Sequence, residues 1–144
     1  MHERLAVLIG RWKTEGWTKE MRAAPAARID AVDTYDWLPG GFGLLHVVDA
    51  KVGGTKVEGA EIIGYDVDRG VYITLYVGSE GLTSYEASLA EETDGLVWSM
   101  RSQTTRFTGT FSDDRAAITG YWELLSEGGE WQRWMDITLT KQDG

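Results

Sequence analysis

The chain has 144 residues, no cysteine and a formal net charge of −9 at pH 7. This is the length of one domain, long enough to bury a core without staples, and the lack of cysteine excludes disulfides and thiolate chemistry. The acidic balance disfavours a nucleic-acid backbone as a partner, because such binding needs a basic stripe that the sequence lacks. The apolar stretch near the first residues is too short for a signal peptide, and no apolar run reaches membrane-spanning length. We therefore expect a single cytoplasmic domain, residues 1–144, that binds neither nucleic acid nor membrane.

The first elements are a short helix and a strand. Leu5, Leu8 and Ile9 have helical spacing, so residues 2–9 are predicted to form a helix that ends at Gly10 and plugs one end of the fold. A strand follows over residues 10–19. Its inward face is predicted to hold Trp12, Thr14, Gly16 and Thr18. Residues 21–27 form an Ala-rich connector with one proline.

The next three strands, residues 28–38, 42–52 and 55–67, carry the strongest turn signals. Gly53-Gly54 between two β-type runs predicts a two-residue hairpin that sets His46 opposite Glu61. Closing the preceding Pro39-Gly40 turn with two residues sets Asp33 beside His46. Asp33, His46 and Glu61 would then lie in a row on the apolar face. The row depends on both turns, since a one-residue slip moves the side chains to the other face.

Tight turns continue to the end of the chain. A three-residue turn before residues 71–78 predicts that Val71, Ile73, Leu75 and Val77 face inward. Further strands are predicted at residues 82–92, 96–102, 105–112 and 117–126, and Gly128-Gly129 leads into the last strand. There Arg133 is predicted to face inward, alone among apolar neighbours. About ten antiparallel strands in one small domain would expose two edges, so we predict a closed up-and-down β-barrel.

Several short motifs resemble known families. The Gly-x-Trp at residues 10–12 resembles the calycin superfamily of lipocalins and fatty-acid-binding proteins, in which a basic residue packs across that Trp; Arg133 and Lys141 are both candidates for it. A closer resemblance is to the bacterial domain-of-unknown-function family 1579, at residues 5–12, 37–41, 63–66 and 120–123. It implies an all-β, calycin-like barrel and no particular activity, because that family has no assigned reaction.

The Asp33–His46–Glu61 row has two interpretations. As a site, it is an imidazole held by two carboxylates that binds a polar head group or transfers a proton. As a structural feature, it is a hydrogen-bonded cluster with no ligand. Two carboxylates favour the imidazolium form, so His46 is poorly suited as a metal or haem ligand, although the three side chains are of types found in metal sites. We expect no metal and no cofactor.

We expect a barrel that binds a small hydrophobic or amphipathic molecule. The alternatives are an enzyme that uses His46 with Asp33 or Glu61 as acid and base, and a structural protein with a filled barrel. Arg133 is expected either to clamp a ligand carboxylate or to stack over Trp12. The candidate pocket residues are Asp33, His46, Glu61, Tyr35, Tyr65, Tyr85, Trp98, Trp122 and Arg133.

Three outward-facing aromatic residues predict an interface. Trp17, Tyr121 and Trp134 would lie together across the first and the last two strands once the barrel closes. An exposed aromatic patch is typical of protein contacts, so the sequence predicts a homodimer through this face.

Overall fold

The computed structural model describes residues 2–21 and 24–143. A 3₁₀ helix, His2–Leu8, precedes ten strands. The strands are β1 Gly10–Thr18, β2 Arg28–Trp37, β3 Gly43–Val52, β4 Thr55–Asp66, β5 Val71–Gly78, β6 Gly81–Glu92, β7 Gly95–Arg101, β8 Thr105–Phe111, β9 Ala117–Leu125 and β10 Trp131–Gln142. Two residues of the predicted connector, 22 and 23, lie outside the described residues.

The ten strands form one closed antiparallel barrel in which each strand pairs with its neighbour in the chain. The ring closes where β1 pairs with β10, and Trp12 lies opposite Lys141 there. Closure removes both sheet edges, whose unpaired backbone groups would otherwise be open to other chains. The predicted up-and-down barrel is therefore confirmed.

The N-terminal helix seals one end of the barrel, as predicted. Leu5 and Leu8 are 0% and 1% exposed, and the indole Nε1 of Trp12 donates a hydrogen bond to the Leu8 carbonyl oxygen at 2.8 Å. The ammonium of Lys141 lies 5.4 Å from the centre of the Trp12 ring. Of the two basic residues proposed to cover this Trp, Lys141 is the one that does.

The hairpin between β3 and β4 has the predicted register, with His46 opposite Glu61. The register between β2 and β3 differs by two residues, because the turn runs from Leu38 to Gly43 and leaves Phe42 exposed outside the strand. Tyr35, rather than Asp33, lies opposite His46. A shift of two residues preserves the face of each side chain, so Asp33 still points inward.

The predicted inward face of β5 is wrong. Residues 67–70 form a four-residue loop that pairs Asp66 with Val71, and the Asp66 carboxylate accepts hydrogen bonds from the backbone N–H groups of Asp68 and Arg69. One residue more than the predicted turn reverses the face of the whole strand. Thr74 is consequently buried, and Leu75 is 42% exposed.

A bulge in β10 reverses the orientation of Arg133. The register shifts between Arg133 and Met135, so Arg133 lies opposite Glu123 and is exposed. Its guanidinium stacks 3.8 Å above the Tyr121 ring on the outer surface. The predicted inward Arg133, and with it the carboxylate clamp, is therefore wrong.

The remaining pairings preserve the predicted faces. Leu89 lies opposite Trp98 instead of Met100, since Glu92 pairs with Gly95 and the two-residue turn lies at residues 93–94, one position before the predicted one. Gly109 faces Gly120 as predicted, and both make room for the Phe107 ring. Within the described residues, no helix is long and apolar enough to span a membrane.

Candidate functional site

A hydrogen-bonded chain crosses four adjacent strands inside the barrel. The hydroxyl of Thr14 on β1 donates a hydrogen bond to Oδ2 of Asp33 on β2. Oδ1 of Asp33 lies 2.7 Å from Nε2 of His46 on β3, and Nδ1 of His46 lies 2.9 Å from Oε1 of Glu61 on β4. All four residues are buried. The structure thus brings together the three titratable residues that the sequence predicted, with Thr14 in addition.

Both ring nitrogens of His46 contact a carboxylate, which sets the protonation state. Burial by itself lowers the pKa of His46, but the hydrogen bonds to Asp33 and Glu61 and their charges raise it from 6.5 to about 9. His46 is therefore an imidazolium at neutral pH, donating one hydrogen bond to each carboxylate.

Tyr35 covers the imidazolium from one side. Its ring lies parallel to His46, with 4.0 Å between the ring centres and 9° between the planes. Burial, together with the negative charges of Asp33 and Glu61, holds the pKa of Tyr35 well above its usual range. Tyr35 thus remains a neutral phenol that packs on a cation, an arrangement favoured by the negative face of the ring.

The cluster does not have the geometry of a metal centre. No group of His, Asp and Glu side chains in residues 2–21 and 24–143 is arranged to hold a metal ion. An imidazolium has no lone pair to offer, and each nitrogen of His46 already has a carboxylate partner.

Three further interior residues border the cluster. Thr14 was placed on the inward face of β1, but its contact with Asp33 requires the pairing of β1 with β2 across the connector. Thr74 and Tyr76 were missed because the face of β5 was reversed. The signal that identifies them is the Asp66-to-Gly70 loop, in which a carboxylate binds two backbone N–H groups.

Thr74 is the unusual residue among these. It is 0% exposed, and its Oγ1 has no hydrogen-bond partner among the described residues. It pairs with Ile63, two positions from Glu61 on the same face of β4. A buried hydroxyl without a partner is costly, so its presence here requires an explanation.

The end of the barrel opposite the helix forms a partly open mouth. Some of its inward-facing side chains are half-buried and others, such as Ile29, Ala50 and Phe107, are buried, whereas those under the helix are fully buried. Tyr76 lies across Gly59 and Gly78, which have no side chains to displace it. The residues of this mouth are Tyr76, Tyr85, Trp122, Met135 and Ile137.

The other candidate pocket residues lie in different places. Tyr85 packs edge-on against Trp122 at 5.8 Å, in the mouth. Tyr65 packs against Tyr72 at 5.1 Å, and Tyr72 in turn lies 5.8 Å from Trp98, which is 2% exposed in the core. Tyr65 and Trp98 therefore belong to a packed group apart from the charged cluster.

Two concavities lie away from the cluster. One, of about 320 Å³, is lined by residues of β5 to β8, including Glu86, Arg101 and Arg106. The other, of about 190 Å³, includes Arg4 and Tyr65. Neither concavity includes Asp33, His46 or Glu61, so both are separate from the charged cluster.

The fold and the interior together define a class: a closed ten-stranded antiparallel barrel, sealed at one end by a helix, with a charged His–carboxylate cluster in its interior. The sequence matches the family described as "Protein of unknown function (DUF1579)" over residues 1–141, and the chain belongs to this family.

Comparison with known proteins supports the fold. The structure is similar to one titled "Crystal Structure of Rv2717c from M. tuberculosis", with a TM-score of 0.77 and 11% sequence identity. The alignment covers 98% of this chain and 96% of that one. At this identity the likeness concerns the fold alone. No curated protein matches the sequence.

Proposed function

We propose that the protein binds a small, partly apolar molecule inside the barrel. The polar end of the ligand lies at the Asp33–His46–Glu61 cluster and its apolar part lies in the mouth. The observation that carries the proposal is the position of this charged cluster beneath a partly exposed aromatic mouth. Burying charges is costly, and replacing a buried ion pair by apolar side chains is often neutral or stabilising, so stability alone does not account for this cluster. We also propose a cytoplasmic location, because a sequence without cysteine is compatible with a reducing compartment.

The unpartnered hydroxyl of Thr74 supports binding over a purely structural role. A ligand or a water molecule that it holds would satisfy this buried group next to Glu61.

The state of His46 favours binding over acid–base catalysis. A general base must be unprotonated at the working pH, whereas the raised pKa of His46, about 9, keeps it protonated near neutrality. Each N–H is also directed at a carboxylate rather than at free space. An acid–base enzyme built on His46 is therefore the less favoured candidate.

The first test uses the protein as it is isolated. Native mass spectrometry should show a mass above that of the chain alone, which disappears on denaturation. Tyr85→Ala enlarges the mouth and should reduce the retained ligand. Arg133→Ala, on the outer surface, is the matched control and should retain it. A wild-type protein that carries no small molecule and binds no hydrophobic dye would contradict the proposal.

A further inference from the structure

The charges inside the barrel are unbalanced. Among the described residues, the buried charged side chains are Asp33, His46 and Glu61, which are two carboxylates and one imidazolium. The formal sum is one negative charge. Arg133, the cation predicted for the interior, lies outside.

The negative charge extends to the mouth. Burial raises the pKa of both Tyr76 and Tyr85, and the charge of Glu61 raises it further. Glu61 also lies directly opposite Tyr76 across β4 and β5. The charge of Asp33 also raises the pKa of Tyr76, so both carboxylates contribute negative potential at the mouth.

Glu61 also has the freer carboxylate. Asp33 uses both of its oxygens, one for Thr14 and one for His46. Among the described residues, the side-chain hydrogen bond of Glu61 uses only Oε1, which leaves Oε2 for a further donor.

We infer that the interior selects ligands whose polar end is a cation or a strong hydrogen-bond donor, such as a primary alkylammonium, and rejects carboxylates. The inference rests on the proposed function and names its ligand class. An ammonium group beside Glu61 neutralises the excess charge, with the unpartnered hydroxyl of Thr74 as a neighbouring acceptor.

The mouth favours the same class of ligand. Tyr76, Tyr85 and Trp122 are half-buried in the mouth, and aromatic rings attract a cation more than an anion. A carboxylate would meet two like charges and a single imidazolium that both carboxylates already hold. Unpaired charge of one sign in a low-dielectric interior disfavours a ligand of that sign.

The experiment compares octylamine, octanol and octanoate, which share one apolar tail and differ in the polar end. Binding to the full chain at pH 7 is measured by calorimetry. Entry into the barrel is followed by the imidazole NMR signal of His46, and His2 serves as the internal reference because the chain has two histidines. Octylamine should bind at least about tenfold more tightly than octanoate, which corresponds to about 1.4 kcal/mol, with octanol between them.

Glu61→Gln removes the excess charge and should abolish the preference for the amine. Arg133→Gln, on the outer surface, should leave it unchanged. The wild-type series decides the question even if Glu61→Gln does not fold.

Octanoate binding as tightly as octylamine, with a shifted His46 signal, overturns the selectivity and leaves the proposed binding function intact. If none of the three compounds shifts the His46 NMR signal, the inference is overturned. Native mass spectrometry of the isolated protein separately decides whether the barrel binds a small molecule.

Discussion

At the scale of single residues, the structure is dominated by an imidazolium with a carboxylate on each side. His46 bridges Asp33 and Glu61 at 2.7 and 2.9 Å, in contact with the ring of Tyr35. Such an arrangement is stable only while all members are present, because removing one leaves a buried charge without its partner.

The pH dependence of stability follows from His46. Its pKa is raised from 6.5 to about 9 in the folded state, so its contribution is fully present below pH 6.5 and is lost as pH rises through 9. A shift of this size corresponds to about 3 kcal/mol. Urea denaturation at pH 6 and pH 9.5 should show the loss in the wild type. His46→Gln should lack this component.

The same protonation can be observed directly. In an NMR titration the His46 ring should titrate with a pKa of about 9, above the reference value of 6.5, with His2 recorded in the same spectra. A His46 that titrates near 6.5 would contradict the hydrogen-bonded geometry at its two nitrogens.

Two buried threonines make a matched pair. Thr14→Val removes the donor to the Asp33 carboxylate and should destabilise by about 1–3 kcal/mol. Thr74→Val removes a hydroxyl that has no partner among the described residues, so its cost should be within about 0.5 kcal/mol, or it should be stabilising. Chemical denaturation of the ligand-free protein measures both. Equal losses would mean that the Thr74 hydroxyl has a partner after all.

At the scale of elements, β5 shows how an interior site changes the pattern of a strand. Its aliphatic residues, among them Leu75 and Val77, lie outside, and Tyr72, Thr74 and Tyr76 lie inside. Strands in most barrels place aliphatic residues inward. Here the inward face borders the charged cluster and its mouth, where hydroxyl-bearing side chains suit the site.

A comparison within β5 tests its orientation. Leu75→Gln, at an exposed site, should change the free energy of unfolding by no more than about 0.5 kcal/mol. Tyr72→Gln, at a position 4% exposed, should cost about 3 kcal/mol or more. Thermal or urea denaturation distinguishes the two variants. A larger loss of stability for Leu75→Gln than for Tyr72→Gln would mean that Leu75, and not Tyr72, faces inward.

The facing glycines of β8 and β9 serve a packing purpose. A Cβ at Gly109 would lie 2.7 Å from Cε2 of Phe107, so Gly109→Ala should destabilise by about 1–3 kcal/mol. Gly64→Ala, in a strand position with no atom within 4 Å of the added Cβ, is the control and should be neutral or stabilising. Phe107→Leu should reduce the cost of Gly109→Ala. An unchanged cost in that background would mean that the ring is not the obstacle.

At the scale of the whole molecule, the barrel has one sealed end and one partly open end. The homodimer through Trp17, Tyr121 and Trp134 stays a prediction. Trp17 is 53% exposed, and the same face also carries the Arg133–Tyr121 stack and the ion pair between Lys19 and Asp136 at 2.9 Å.

Sedimentation at micromolar concentration tests the homodimer. The wild type should sediment as more than a monomer, and Trp134→Glu should dissociate it, because a charge in an aromatic contact is unfavourable. Lys56→Glu, distant on β4, should not. A monomeric wild type would end this prediction.

The sequence by itself determined the class of fold and part of the site. Gly53 and Gly54 have the positive φ angles, 58° and 83°, that their pairing requires, and this turn alone set His46 opposite Glu61. The β2–β3 turn was assigned two residues too short, yet Asp33 kept its face because strand side chains alternate with a period of two.

Tertiary structure decided the inward face of a strand wherever a loop or bulge differs from the predicted one by an odd number of residues. The four-residue loop before Val71 and the bulge between Arg133 and Met135 each insert one residue and reverse a face. The Asp66 side chain is a local signal for the first insertion, whereas the bulge in β10 depends on how that strand aligns with the strands on both sides. The contact of Thr14 with Asp33 likewise depends on the register of β1 against β2, which the connector between them does not set by a tight turn.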